Sequence, residues 1–417
     1  MTDQLSDQVT QTVKRVTGLG PFILGFVGIQ LFTNIANGGI GGLMIPNRIA
    51  VIDPENKVAL LGIGAAIVAA VALIAVPVVG MLSDRTRGRY GRRLPWVFAG
   101  VLGLGASAIA LAFTSDYLST IVVFSVFTLF YSMVLAPISA TVPDRTPISK
   151  RGLFSALAGI GVFVGGIVGQ VVASGFTKNL TAGFITFGVI VLVGSLPLIL
   201  TLREDTSAHP VAARTGFVET LRTFIVNPRK YPDFFWAFIA RLVIVMGFQS
   251  VLSFQLYILA DYVGIGLEAA NAVYPLAVVI ATALLIIALI PAGLISDKIG
   301  RRKPLVIVAA VIVGLSCIPP LIAPSVTTAI IALGMSGFGI GAYLAVDQAL
   351  MTQVLPSNLD AGKDLGILNI AQAGGQVLAP VAASIVITAA GYPGLYVFAG
   401  LLAALSAVAV LPIKSVR

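Results

Sequence analysis

Across 417 residues there is one cysteine and one histidine, and only 10% of the side chains are charged. Each shortage removes a class of function. Cys317 stands alone in an apolar run, which leaves no disulfide framework and no thiolate metal cluster. His209 lies in the longest polar stretch after the first residues, so a histidine relay inside an apolar segment is excluded. No phosphate-cradling loop and no nucleophile–histidine pair is present, so no enzyme chemistry, metal or cofactor is expected. Soluble domains are about one quarter charged. This chain is 58% hydrophobic with a mean hydropathy of +1.01, which identifies lipid as its solvent.

What is there is a series of apolar stretches. A membrane helix needs roughly 20 such residues. Twelve runs meet that length: 21–46, 57–82, 95–114, 118–141, 153–176, 182–202, 233–260, 267–295, 304–323, 326–351, 365–390 and 392–412. The expected fold class is an all-α membrane protein with twelve transmembrane helices in two pseudo-symmetric six-helix bundles. The first run is too long for a signal-peptide core and lacks a clear cleavage site, so it is expected to stay as a helix.

The net charge of +9 does not mark a nucleic-acid binder, because of where the cations fall. With the amino terminus inside, one set of loops holds Lys14, Arg15, Arg85 to Arg93, Arg145 to Arg151, Arg203 to Lys230, Lys298 to Lys303, Lys363, Lys414 and Arg417. The opposite loops hold Arg48, Lys57 and Lys178. That asymmetry is the positive-inside pattern. It places the chain as a multi-pass protein of the cell membrane with both termini cytoplasmic. Trp96 and Trp236 sit where helices leave the inner face, as interfacial anchors do.

The chain also repeats itself. Gly80-Met-Leu-Ser-Asp84-Arg85 runs on to Gly91-Arg92-Arg93, and Gly293-Leu-Ile-Ser-Asp297-Lys298 runs on to Gly300-Arg301-Arg302. The offset, 293 − 80 = 213, is close to half of 417, and Pro143 and Pro356 differ by the same amount. The division is therefore a cytoplasmic N-terminal segment at 1–20, a bundle at 21–202, a cytoplasmic linker at 203–232, a second bundle at 233–413 and a tail at 414–417. The linker has room for a short amphipathic helix at Phe217–Val226. Internal repeats that place a site between two halves are a recurrent transporter plan.

Polar side chains are confined to a few helices. The third, sixth, ninth and twelfth carry small hydroxyls such as Ser107, Ser195 and Ser406. The first carries Gln30, Asn34 and Asn37 on one face; the seventh carries Gln249, Ser253 and Tyr257 at four-residue steps. The tenth carries Tyr343 and Asp347, and the eleventh Asn369, Gln372 and Gln376. An amide in lipid is costly without a partner or water. These faces are expected to line a wet cavity rich in amides and poor in charge, suited to a small neutral polar solute. The bland helices are expected outside.

Among 17 acids, Asp347 is the one well inside a helix, which makes it the candidate for proton coupling. The structural alternative pairs it with Lys363, or with Gln348 and Asn369. Arg241, in the first turns of the seventh helix, is expected to snorkel to the inner interface, with an ion pair to Asp347 as the alternative. Asp261 and Glu268 are expected to face outer solvent. Gly161, Gly165 and Gly169 in the fifth helix read as a close-packing stripe.

The repeated Gly-x-x-x-Asp-Arg/Lys…Gly-Arg-Arg loop resembles the signature loop of the major facilitator superfamily. The resemblance implies alternating access, with helices one, four, seven and ten at the centre. It also implies a conformational latch of Gly80, Asp84, Arg85, Gly91 and Arg92 in one half and Gly293, Asp297, Gly300 and Arg301 in the other. Gly80 and Gly293 would permit close helix approach there. The fifth helix lacks the proline of the superfamily's antiporter motif. Ser83-Asp84-Arg85-Thr86-Arg87 and the terminal Pro95-Trp96 are similar to the sucrose/proton symporters and the glycoside–pentoside–hexuronide:cation symporters. That likeness implies cation-coupled uptake of a sugar or glycoside; a monomer is expected. Leu60 to Leu82 has no acid, which argues against a sodium site like that of the glycoside symporters; the coupling partner expected from Asp347 is a proton. Phe248, Phe254, Tyr257 and Tyr343 would stack on a ring in place of a tryptophan. The other readings are a proton-driven exporter of amphiphilic compounds and a non-transporting membrane sensor.

Overall fold

The computed structural model describes residues 19–86, 90–145, 151–202, 232–353 and 361–413. The termini, the linker with its expected helix at Phe217–Val226, and Pro356 lie outside the described residues. Within them there is no strand. Eleven helical runs are long and apolar enough to cross a membrane. The last, Ala361–Val410, is broken at Gly391, whose φ of 70° and ψ of −174° end one helix and begin another. This gives twelve rods: α1 Gly20–Ile52, α2 Lys57–Arg85, α3 Leu94–Leu111, α4 Tyr117–Arg145, α5 Arg151–Ser174, α6 Leu180–Leu202, α7 Pro232–Tyr262, α8 Gly266–Ile299, α9 Lys303–Ile322, α10 Val326–Gln353, α11 at 361–390 and α12 at 392–410.

The helix ends follow from local chemistry. Gly300 closes α8 in the left-handed region at φ 65°, its N–H bonded to the Ser296 carbonyl at 3.0 Å. Gly91, its counterpart in the first loop, has φ 85°. Both Gly-Arg-Arg glycines thus occupy a backbone region that side chains resist. Pro95 and Pro304 then sit in the first turn of α3 and α9, where a missing N–H costs nothing. Asp116 caps α4, accepting from the Ser119 hydroxyl at 2.6 Å and its N–H at 3.0 Å. Those bonds hold its carboxyl below the usual carboxylate range.

The chain divides into two compact units. Unit 1 is Met1–Ile52 with Ala70–His209; unit 2 is Asp53–Ala69 with Pro210–Arg417. The division falls inside α2, whose first turns belong with the second half of the sequence. In unit 1, α1 packs on α5 and α6, and α3 packs on α4 and α6. In unit 2, α7 packs on α11 and α12, α8 on α10, and α9 on α10 and α12. Apart from α8 on α10, each of these pairings has its counterpart in unit 1.

Small residues set these contacts. A Cβ at Gly165 would stand 2.6 Å from the Leu31 carbonyl oxygen, and one at Gly375 2.7 Å from that of Leu242. Gly337 and Gly341 meet the Ala281 and Leu285 carbonyls in the same way. The α5 stripe is therefore a packing seam against α1. At Gly80 and Gly293 a Cβ meets nothing within 4 Å, so the close approach expected there is absent among the described residues. Two widened turns also repeat: π-helical segments at Ile40–Met44 in α1 and Ile258–Tyr262 in α7, 258 − 40 = 218 residues apart.

Candidate functional site

The most consequential group lies in unit 2, where α7, α10 and α11 meet. Arg241 Nη1 is 3.5 Å from Asp347 Oδ2, with 5% and 3% of the side chains exposed. Arg241 Nη2 donates to Gln372 Oε1 at 2.6 Å. This overturns the snorkelling expectation. Arg241 is on the inward face of α7 beside Phe234, Ala237 and Ile244, and its charge stays buried because a carboxylate and an amide meet it there. The ion pair is the alternative that the sequence kept open for Arg241; the other partners considered for Asp347, namely Lys363, Gln348 and Asn369, have side chains outside the described residues. Tyr343, one turn before Asp347, is fully buried, and its hydroxyl has no hydrogen-bond partner of good geometry.

The amide faces separate by exposure. In unit 1, Gln30 and Asn34 are buried against the glycine stripe of α5, their Cβ atoms within about 3 Å of where Cβ atoms at Gly161 and Gly165 would lie. Asn34 Nδ2 donates to the Gln30 carbonyl at 2.8 Å, and Tyr131 donates to Asn34 Oδ1 at 2.9 Å. Asn37 is half-buried. In unit 2, Gln249, Ser253 and Gln372 are half-buried and Gln376, one turn past Gln372, is exposed. Gln255, absent from the expected set, is buried with Nε2 unpartnered. Tyr131 and Gln255 carried the same signal as the chosen residues, a polar side chain in an apolar helix, and were passed over.

A second charge cluster closes the far end of unit 2. Lys57 Nζ is 2.7 Å from Asp261 Oδ1 and lies 5.1 Å from the centre of the Tyr257 ring. Tyr392 donates to Asp261 Oδ2 at 2.8 Å, and Tyr262 donates to the Pro320 carbonyl at 2.8 Å. Asp261 is exposed, as expected, and is also held from α2 and α12, with Tyr257 packed under Lys57. The π-turn of α7 carries Asp261 to this point.

In the first signature loop, Arg93 Nη2 is 3.5 Å from Asp84 Oδ1, and Trp96 Nε1 donates to Thr86 Oγ1 at 2.8 Å. Arg93, not Arg92, is the buried arginine; Arg92 is half-buried and Arg85 exposed. In the second loop Gly300 and Arg301 are exposed, and the Asp297 side chain lies outside the described set. The motif serines, Ser83 and Ser296, are buried in both copies.

A family model described as Major Facilitator Superfamily matches residues 26–286 and again residues 267–416. The chain belongs to that superfamily, and it is a multi-pass membrane protein. Among particular relatives, it is 34% identical over 82 residues to an uncharacterized symporter of Synechocystis sp., covering 17% of this chain and 15% of that protein. It is 26% identical over 262 residues to an MFS transporter of Aspergillus flavus, covering 61% of this chain and 55% of that protein. The matched stretches therefore span no more than about half of those relatives. Among solved structures, a D-xylose–proton symporter aligns with a TM-score of 0.69 at 15% identity, covering 96% of this chain and 98% of that one. A bacterial homolog of the human lysosomal transporter Spinster aligns at 0.67 and 16%, covering 96% and 94%. At such identities the likeness shows the fold.

Proposed function

We propose that this protein is a secondary active transporter of the cell membrane that takes up a small polar solute, a sugar or glycoside, together with a proton. Both termini are cytoplasmic, the protein works as a monomer, and access alternates across the bilayer. The solute-binding candidates are the members of the polar faces that keep some exposure, Asn37 in unit 1 and Gln249, Ser253, Gln372 and Gln376 in unit 2. Asn369, whose side chain lies outside the described residues, belongs to the same expected set. Gln30, Asn34, Tyr257 and Tyr343 support it from buried positions. Asp347 carries the proton, and the two signature loops latch one access state.

The observation that carries this reading is the buried Arg241–Asp347 pair. Ionisable groups deep in membrane helices are costly, and pathways for ions and solutes are where they are kept. The fold it shares with a D-xylose–proton symporter supports the choice of solute class. The test is uptake into proteoliposomes of sucrose, melibiose and D-xylose, with and without an inward proton gradient. Accumulation should require the gradient. Asp347→Asn should abolish accumulation while leaving exchange at equal concentrations, because a permanently neutral side chain mimics the loaded carrier. Gradient-driven accumulation retained in Asp347→Asn would remove the proton role from this residue.

A further inference from the structure

Arg241 makes its shorter contact with a neutral amide and its longer one with its counter-ion. Nη2 lies 2.6 Å from Gln372 Oε1, whereas Nη1 lies 3.5 Å from Asp347 Oδ2. A charge-assisted hydrogen bond closes to about 2.7–2.9 Å, so the Asp347 contact is a loose one. Oδ2 of Asp347 has no hydrogen-bond partner of good geometry and keeps a lone pair open for a proton. From these distances we infer that Gln372 is a positioning residue for the proton step: it is the second acceptor for the Arg241 guanidinium and holds that group when Asp347 is protonated. The inference rests on the proton role proposed above for Asp347.

The physical need is plain. Adding a proton to the carboxylate removes the charge that compensates a guanidinium with 5% of its side chain exposed. An uncompensated buried charge is what makes broken buried pairs so unfavourable. The amide carbonyl presents its negative end to the same guanidinium and offsets part of that loss. In the step itself a hydronium ion gives a proton to Asp347 and leaves as water, and the carboxylate becomes a neutral acid.

The exchange also changes which helices are tied. The ion pair joins α7 to α10; the amide bond joins α7 to α11. Protonation would therefore move the hold on α7 from one neighbour to the other. Among the described residues, the titratable groups acting on Asp347 are Arg241 from α7 and Tyr343 on α10 itself. The residues of α8 and α9 that meet the glycines of α10, Ala281, Leu285, Ala309 and Val313, carry no charge.

The test needs no solute. The full chain in lipid nanodiscs at about pH 6 is examined by infrared spectroscopy for the protonated-carboxyl C=O band, assigned to Asp347 by its loss in Asp347→Asn. In Gln372→Leu the ratio of protonated to ionised Asp347 should fall about tenfold, the weight of one hydrogen bond to a charged group. In Gln372→Glu it should rise, because a second carboxylate takes the guanidinium. The band of the introduced carboxyl is removed by comparison with the double variant Gln372→Glu/Asp347→Asn. A ratio unchanged in Gln372→Leu, or one that moves the same way in both variants, overturns the role of Gln372. If Gln372→Leu does not fold, the sign in Gln372→Glu decides alone. A wild-type protein with no Asp347 band at any pH would instead overturn the proton role of Asp347.

Discussion

Removing one member of the Arg241–Asp347 pair should be far worse than removing both. At 3.5 Å and an effective dielectric constant of about 20, the attraction is about 5 kcal/mol. Taking out one partner leaves the other buried and uncompensated, and such losses run to about 3–5 kcal/mol. Replacing both with apolar side chains of similar volume is often close to neutral, because the desolvation of two ions is relieved together with their attraction. Arg241→Met and Asp347→Leu should therefore each lower stability by about 3–5 kcal/mol. The double variant should recover most of that, with Gln372 turning its freed amide to the accessible side. The assay is equilibrium unfolding of purified protein in mixed micelles of rising SDS fraction, read as a double-mutant cycle. A coupling energy of at least about 2 kcal/mol is expected. Losses that simply add would show that the two groups do not compensate one another. The recovered double variant should still fail to accumulate solute against a pH gradient, which separates stability from coupling.

Gly341→Leu and Gly165→Leu should abolish folded protein in the membrane, since each side chain meets a neighbouring helix backbone, whereas Gly80→Ala should express normally; membrane yield and size-exclusion profiles decide. Asp261→Asn, which weakens the bonds from Lys57 and Tyr392, should cost about 0.5–1 kcal/mol for this part-exposed pair and lose that difference in high salt. The Asp116 cap should contribute stability above the carboxylate's ordinary range near pH 4 and lose it as pH falls through its lowered folded value. An acid-side deficit of wild type against its own pH 7 value should therefore shrink in Asp116→Asn.

Much of the architecture was legible before any coordinate. Each span had to satisfy its own backbone in lipid, so length and apolarity alone located the helices, and the 213-residue offset located the repeat. Positive φ at Gly91 and Gly300 now supplies the reason for the glycine in Gly-Arg-Arg. The site was legible only in part. Asp347 stood out because an acid at depth is rare. Arg241 was misread because its position near a helix end fits snorkelling as well as burial, and only the neighbouring helices distinguish the two.

The sequence by itself determined that the chain is a twelve-helix membrane protein with a duplicated loop, since hydropathy, helix caps and repeated residues act over a few turns of one helix. Tertiary structure decided which helix each face meets. Periodicity tells which side chains share a stripe, but not whose stripe lies opposite. That is why Gln30 and Asn34 press against the glycines of α5, why Asp261 is clasped by Lys57 and Tyr392, and why the buried guanidinium of Arg241 lies between a carboxylate from α10 and an amide from α11.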